Sequence, residues 1–259
     1  MIVALLMARE GSAGFPGKNT YPVLGRPLIA YPLLATKNAK TVDKTYITTD
    51  SPKIKEIGKK HGAEIIDRPP ELCTDSALGD DVFVQGYHFI KYALKHAKKE
   101  IELIVLLLGN SPTILSETID NGVKVLRENP KYDSAVTVSK YNMWSPLRAR
   151  RIGGDGLLHP FVPFETFGNL KTLSCDRDSQ GDVWFADMGV SIVRPRCLEK
   201  IHDGLLPQKW MGQKIYPLKQ WGGLDVDYEW QVPQVEFWLK KQGFTKKKTP
   251  YEGKRCLKR

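Results

Sequence analysis

Ile2-Val-Ala-Leu-Leu-Met7-Ala-Arg9-Glu-Gly-Ser-Ala-Gly-Phe-Pro-Gly-Lys18-Asn19 decides the fold class by its order, an unbroken apolar run and then a glycine-rich basic loop. Six consecutive apolar residues with no polar face read as a strand covered on both sides, the habit of a parallel sheet in an α/β protein. The loop from Gly11 to Gly17 follows where that strand ends, and Pro27 to Asn38 has apolar spacing that fits a helix.

Outward from this unit the same alternation continues. Lys44 to Thr48 reads as a second strand, Ser51 to His61 as a helix, Glu64 to Ile66 as a short strand and Asp80 to Lys98 as a longer helix. Leu103 to Leu108 is the most apolar strand, followed by a helix over Ser116 to Glu128 and a strand over Ser134 to Val138. Periodicity weakens from Tyr141 to Gln180, so an inserted lobe is expected over 141–187. A strand at Gly189 to Val193 and helices at Arg196 to Ile201 and Tyr228 to Lys241 resume the pattern. The expectation is one α/β domain over 1–259, a mostly parallel sheet with flanking helices.

With 41% hydrophobic and 26% charged residues, the 259-residue chain has a globular composition, which excludes a disordered or fibrous protein. The net charge of +10 admits nucleic acid, an anionic membrane or small polyanions as partners. Much of the excess lies in the basic tail 246–259, where Lys246, Lys247 and Lys248 lack interleaved aromatics, so the tail reads as solvated and no nucleic acid is expected. The apolar runs are too short to span a bilayer, and no basic segment precedes the first, so neither membrane anchor nor signal peptide is expected. Cys73, Cys175, Cys197 and Cys256 lie far apart, which suggests neither zinc site nor disulfide framework and favours a cytoplasmic setting.

The loop is the first chemical constellation. At the carboxyl end of a strand, Gly11, Ser12, Gly14 and Gly17 can bring backbone N–H groups against phosphate oxygens, and Arg9 and Lys18 can neutralise charge developing there. It fits neither the dinucleotide fingerprint nor the Walker loop, and a tight turn carrying two solvated charges remains the alternative. Asp225 and Asp227, at i and i+2 in an extended segment, share one side of the chain and can reach one hard cation. As aspartates ahead of an amphipathic run they also suit a helix N-cap. The five histidines have no zinc spacing, and no Gly-x-Ser-x-Gly nucleophile elbow occurs.

Three further segments complete the pattern: Arg68-Pro-Pro-Glu-Leu-Cys-Thr-Asp75-Ser-Ala77, Leu108-Gly-Asn110-Ser111-Pro112, and Asp225-Val-Asp227-Tyr-Glu-Trp230. With the loop, their order and spacing resemble the CMP-N-acylneuraminate and CMP-Kdo synthetase family, in which an Arg-x-x-Ser-x-Gly-x-Pro-x-Lys-Asn loop binds CTP phosphates. The resemblance implies a Rossmann-like sheet of the nucleotide-diphospho-sugar transferase type, a small dimerisation lobe, a homodimer, and Mg²⁺-dependent transfer of CMP from CTP to a sugar acid. It gives Arg9, Gly11, Ser12, Lys18, Asn19, Arg68, Asp75, Ala77, Asn110 and Ser111 to the nucleotide, and Asp225 and Asp227 to the metal, with Arg9, Lys18 and Asp227 acting in catalysis. Arg148, Arg177 and Gln180 are set against the acceptor acid. Apart from the resemblance, Arg68 can pair with Glu64 or Glu71 at the surface, and Asn110 and Ser111 can be plain turn residues.

The chain also departs from the family. Leu108 stands for a glutamine set against the sugar acid, Ala13 for a loop lysine and Ala186 for an arginine, while Trp144, Trp184 and Trp210 can line the pocket or serve as core. A nonulosonate is the leading acceptor and Kdo or another acid the alternative. A metal-dependent glycosyltransferase and a non-catalytic nucleotide-binding relative are the competing classes.

Overall fold

The computed structural model describes residues 1–12, 14–174, 176 and 181–252. In chain order its strands are β1 (Ile2–Met7), β2 (Pro22–Val23), β3 (Arg26–Pro27), β4 (Lys44–Thr49), β5 (Glu64–Asp67), β6 (Leu103–Leu108), β7 (Ser134–Lys140), β8 (Arg150–Ile152), β9 (Leu158–Pro160), β10 (Trp184–Val193) and β11 (Ile215–Gln220). Its α-helices are α1 (Ala30–Asn38), α2 (Pro52–Lys60), α3 (Gly79–His96), α4 (Ser116–Glu128), α5 (Pro195–Glu199) and α6 (Val232–Lys241).

Seven strands form one sheet in the order β11-β7-β10-β6-β1-β4-β5. Only β10 runs antiparallel to its neighbours β6 and β7; the other pairs are parallel. The mostly parallel α/β sheet expected from the first strand is what forms. One edge of it therefore carries the ends of β1, β4, β6, β7 and β11 together with the start of β10.

The two faces of β1 explain its unbroken apolar run. Ile2, Ala4 and Leu6 join a core with Ile29, Leu33, Ile119 and Val123 of the α1 and α4 side, whereas Val3 and Leu5 join Phe83, Tyr87 and Ile90 of α3. Strand residues alternate faces, so burial on both sides requires apolar residues at every position. A third core joins Phe15, Leu28 and Tyr31 to Val226, Val235, Trp238 and Phe244, which fastens the N-terminal loop to the C-terminal helix.

Several boundaries differ from expectation. The helix foreseen from Pro27 starts at Ala30, because Pro27 pairs with Pro22 in the β2–β3 hairpin. The strand foreseen at Gly189 begins at Trp184, with a register shift between Ala186 and Ser191. The helix foreseen from Tyr228 opens as a 3-10 turn over Glu229–Gln231 and becomes α at Val232. Likewise the helix from Arg196 is α over Pro195–Glu199 and then 3-10 over Ile201–Asp203. Strand β11 was not foreseen. The weakly periodic stretch after Tyr141 holds 3-10 turns and the β8–β9 hairpin.

Candidate active site

The loop after β1 is fixed by its own residues. Asn19, 6% exposed, donates from Nδ2 to the Arg9 carbonyl at 2.8 Å and so ties the two ends of the loop together. Gly17 takes φ 73°, a left-handed conformation that glycine adopts without steric cost. A Cβ on Gly14 would lie 2.8 Å from the Asp227 carbonyl, so glycine lets the loop touch the opposite wall.

Between the loop and the ends of β1 and β6 lies a cleft of about 200 Å³, lined among others by Arg9, Gly11, Ser12, Lys18, Asn19, Arg68, Ala77, Leu108 and Asn110. Eight of the sequence-predicted nucleotide residues thus converge on one cavity at the sheet edge where open α/β folds bind ligands. Asp75 joins them through Arg9, with Nη2 and Oδ1 2.6 Å apart. Ser111 does not reach the cavity wall; it is fully buried, and its Oγ has no hydrogen-bond partner.

Arg68 makes none of the surface ion pairs open to it in sequence. It is 8% exposed and donates from Nη2 to the Thr48 carbonyl at 2.7 Å and the Ala8 carbonyl at 3.1 Å, while Glu64 pairs with Lys44. Its guanidinium joins the ends of β1 and β4 beneath the cleft, and burial lowers its pKa.

The aspartates arrive from the other end of the chain. Val226, fully buried in the third core, turns inward, so Asp225 and Asp227 share the opposite side. Lys18 Nζ lies 2.6 Å from Asp227 Oδ1, and Asn110 Nδ2 donates to the Val226 carbonyl at 3.0 Å and to Asp227 Oδ1 at 3.4 Å. The capping alternative is not taken by either aspartate, because Gln231 Oε1 accepts from the backbone N–H of Asp227 and Tyr228 at 2.7 and 2.8 Å. Burial and the neighbouring Asp227 charge push Asp225 up to about 6, against the lowering effect of Lys18 and Asn110.

Two hard carboxylate donors on one side of the segment are of the kind magnesium takes, and Lys18 is the cation that now faces Asp227. Among the described residues no group of three or more His, Cys, Asp and Glu could hold a metal. Magnesium commonly takes one or two carboxylates and fills its octahedron with phosphate oxygens and water.

The acceptor residues are placed less centrally. Arg148 lines a different cavity, of about 360 Å³, with Leu147, Arg150, Phe164 and Leu170. Arg177, Gln180 and Ala13 lie outside the described residues. Trp210 is core, 5% exposed, whereas Trp144 and Trp184 are on the surface. Sequence reading missed Thr113 and Tyr141, which hold the aspartate segment: Thr113 Oγ1 accepts from Leu224 N–H at 2.9 Å, and Tyr141 Oη donates to the Gly223 carbonyl at 2.7 Å. No local signal marks them, since both partners are more than 80 positions away. Burial, assisted by Asp187, pushes the Tyr141 hydroxyl up to about 12, so it stays a donor.

Residues 3–151 match a family model described as cytidylyltransferase. The chain is 34% identical over 141 residues to an N-acylneuraminate cytidylyltransferase of Escherichia coli, covering 54% of this chain and 32% of that one. It is 31% identical over 173 residues to a CMP-N,N'-diacetyllegionaminic acid synthase of Legionella pneumophila, covering 66% and 69%. The chain thus spans about a third of the Escherichia coli relative, and the N-acylneuraminate cytidylyltransferase of Oncorhynchus mykiss is likewise covered over only 49% of its length. A structure of CMP:2-keto-3-deoxy-manno-octonic acid synthetase complexed with CTP superposes with a TM-score of 0.63 over 93% of this chain and 98% of that one, at 17% identity, a likeness of fold.

Proposed function

Since the chain belongs to the cytidylyltransferase family, we propose that it joins CMP from CTP to a 2-keto sugar acid and releases pyrophosphate. The observation that carries this reading is the meeting of Lys18 and Asp227, which sets the carboxylate segment beside the phosphate-type loop that lines the cleft. The reacting hydroxyl of the acid gives up its proton to solvent and forms a bond to the α-phosphorus while the bond from that phosphorus to the α–β bridging oxygen breaks, so that the bridging oxygen leaves with pyrophosphate. Arg9, Lys18 and the loop amides of Gly11 and Ser12 neutralise and orient the departing pyrophosphate. Asp225 and Asp227 would hold magnesium, which would supply charge neutralisation and polarise the α-phosphate. Lys18 exchanges its Asp227 partner for phosphate oxygen when nucleotide arrives.

The acceptor is a nonulosonate, with Kdo second. The names of the Escherichia coli and Legionella relatives support the first, and the octonic acid synthetase likeness keeps the second. Leu108 in the cleft wall gives this chain an apolar contact where the family sets a glutamine. A homodimer through the 141–187 lobe is supported by Ile152, Leu158 and Phe161, which are 75%, 71% and 62% exposed. A cytoplasmic location is supported by the free thiols of Cys73 and Cys197, and no helix among the described residues is long and apolar enough to cross a membrane.

Pyrophosphate release from CTP and Mg²⁺, measured across sialic, legionaminic, pseudaminic and deoxyoctulosonic acids, tests the proposal. Release dependent on one acid, and lost in Asp227→Asn, is expected. Silence with every acid despite CTP binding would overturn it.

A further inference from the structure

The segment that presents Asp225 and Asp227 belongs to no helix or strand; it runs between the end of β11 at Gln220 and the 3-10 turn at Glu229. Its placement must come from bonds to other parts of the chain. Gly223 is the first fixed point, with its N–H donating to Ser139 Oγ at 2.9 Å. Ser139 is fully buried and has a single hydroxyl proton. Two acceptors lie near that proton, Asp187 Oδ2 at 2.6 Å and the Gln220 carbonyl at 3.4 Å. The carboxylate wins, because its bond is shorter and charge-assisted. Once the proton points at Asp187, a Ser139 lone pair is left to receive Gly223.

Asp187 is 5% exposed, and among the described residues its hydrogen-bond partners are all neutral: Ser139, Gln220 Nε2 at 2.9 Å and the backbone N–H of Gly189 at 3.2 Å. A buried carboxylate without a cation is costly to keep. The backbone around it is costly too. Met188 takes φ 60°, and β10 pairs Ala186 with Val138 but Ser191 with Val136, so it bulges around Asp187. Bulges and left-handed non-glycine residues recur beside active sites, where they re-aim a side chain. Here the side chain is aimed at the root of the aspartate segment. Gln220, held by Asp187, also donates to the Thr113 carbonyl at 3.2 Å, and a Cβ on Gly223 would lie 2.4 Å from Asp187 Oδ2.

We propose that Asp187 is a positioning residue for the cleft: through Ser139 and Gln220 it fixes Gly223, and with it the reach of Asp225 and Asp227. The kinetic consequence rests on the cytidylyltransferase reading; the ordering of the segment does not. Asn at 187 keeps the size but turns one acceptor into an N–H donor that faces donors.

The test uses the full chain with Asp187→Asn, Ser139→Ala and the double variant. Amide hydrogen exchange is read at Gly223 and Leu224, and kcat and KM for CTP are read by pyrophosphate release. Each single variant is expected to speed exchange at Gly223 about tenfold, the effect of losing roughly one hydrogen bond. It should lower kcat by a similar factor and leave KM for CTP within about twofold, because the loop and Arg68 hold the nucleotide. The double variant should be no worse than the worse single one. Unchanged exchange at Gly223, exchange rising equally throughout β7 and β10, additive effects in the double variant, or faster exchange with undiminished kcat would each overturn the proposal. If the unmodified chain transfers CMP to no acid, the cytidylyltransferase reading fails, and exchange at Gly223 alone decides whether Asp187 orders the segment.

Discussion

Lys18 Nζ and Asp227 Oδ1 are 2.6 Å apart although 209 positions separate the two residues. The pair ties the loop after β1 to the segment after β11, and it joins the group suited to phosphate with a group suited to metal. Asp227 is 54% exposed at its side chain, so solvent screens the pair and it contributes little to stability. Lys18→Met should therefore shift the melting temperature by no more than about 2 °C, while lowering kcat on the order of 10²-fold or more. Thermal scans beside pyrophosphate-release kinetics check both halves, and a large loss of stability with kcat intact would contradict this role.

Val226 has the converse role, since it touches no substrate and anchors both aspartates from the core. Val226→Ala should cost about 1–3 kcal/mol of stability from lost packing and also lower kcat, because the turn between the carboxylates loosens. Urea midpoints measured beside kcat decide the point. A destabilised protein with undiminished kcat would show that the third core does not govern the aspartates.

Arg68 binds the Ala8 and Thr48 carbonyls under the cleft. Replacement by Met keeps much of the packing but leaves those carbonyls unpaired, at about 1–3 kcal/mol. The expected result is a lower urea midpoint with a several-fold higher KM for CTP. A surface-type response, within about 0.5 kcal/mol and with KM unchanged, would contradict it.

Asp225 places function against stability. Its pKa is raised from 3.8 to about 6, so without metal the folded chain holds this proton more tightly than the unfolded chain. The sign follows: the contribution is present at acidic pH, is lost as pH rises from about 4 through 6, and leaves the metal-free protein penalised at neutral pH. Asp225→Asn should raise the melting temperature in EDTA at pH 7.5, flatten this part of the pH profile and abolish transfer. Magnesium should stabilise the unmodified chain and leave the variant unmoved. A variant less stable than its parent in EDTA would contradict the repulsion argument.

Much of the frame was legible because burial leaves a mark in sequence. Both faces of β1 are covered, so Ile2 to Met7 had to be apolar throughout, and the loop after it carries Gly17 where the backbone turns and Gly14 where it closes on Asp227. The i and i+2 spacing of Asp225 and Asp227 likewise gave their common side. Strand β11 left no such mark. Among the described residues it is an edge strand paired only with β7, so it tolerates Pro217 and buries Leu218 alone, its other residues being exposed or half-buried.

What the sequence by itself determined is therefore local and periodic: the alternation of strands and helices, the glycine loop, and the shared side of two carboxylates. What only the tertiary structure decided is which distant groups meet. Arg68 turned from Glu64 and Glu71 to the backbone of two strands, Lys18 met Asp227, and Asp187 came to face Ser139. Hydrogen bonds and ion pairs between distant positions carry no period, so chain order cannot announce them; they follow from where a twisted sheet brings its strand ends together.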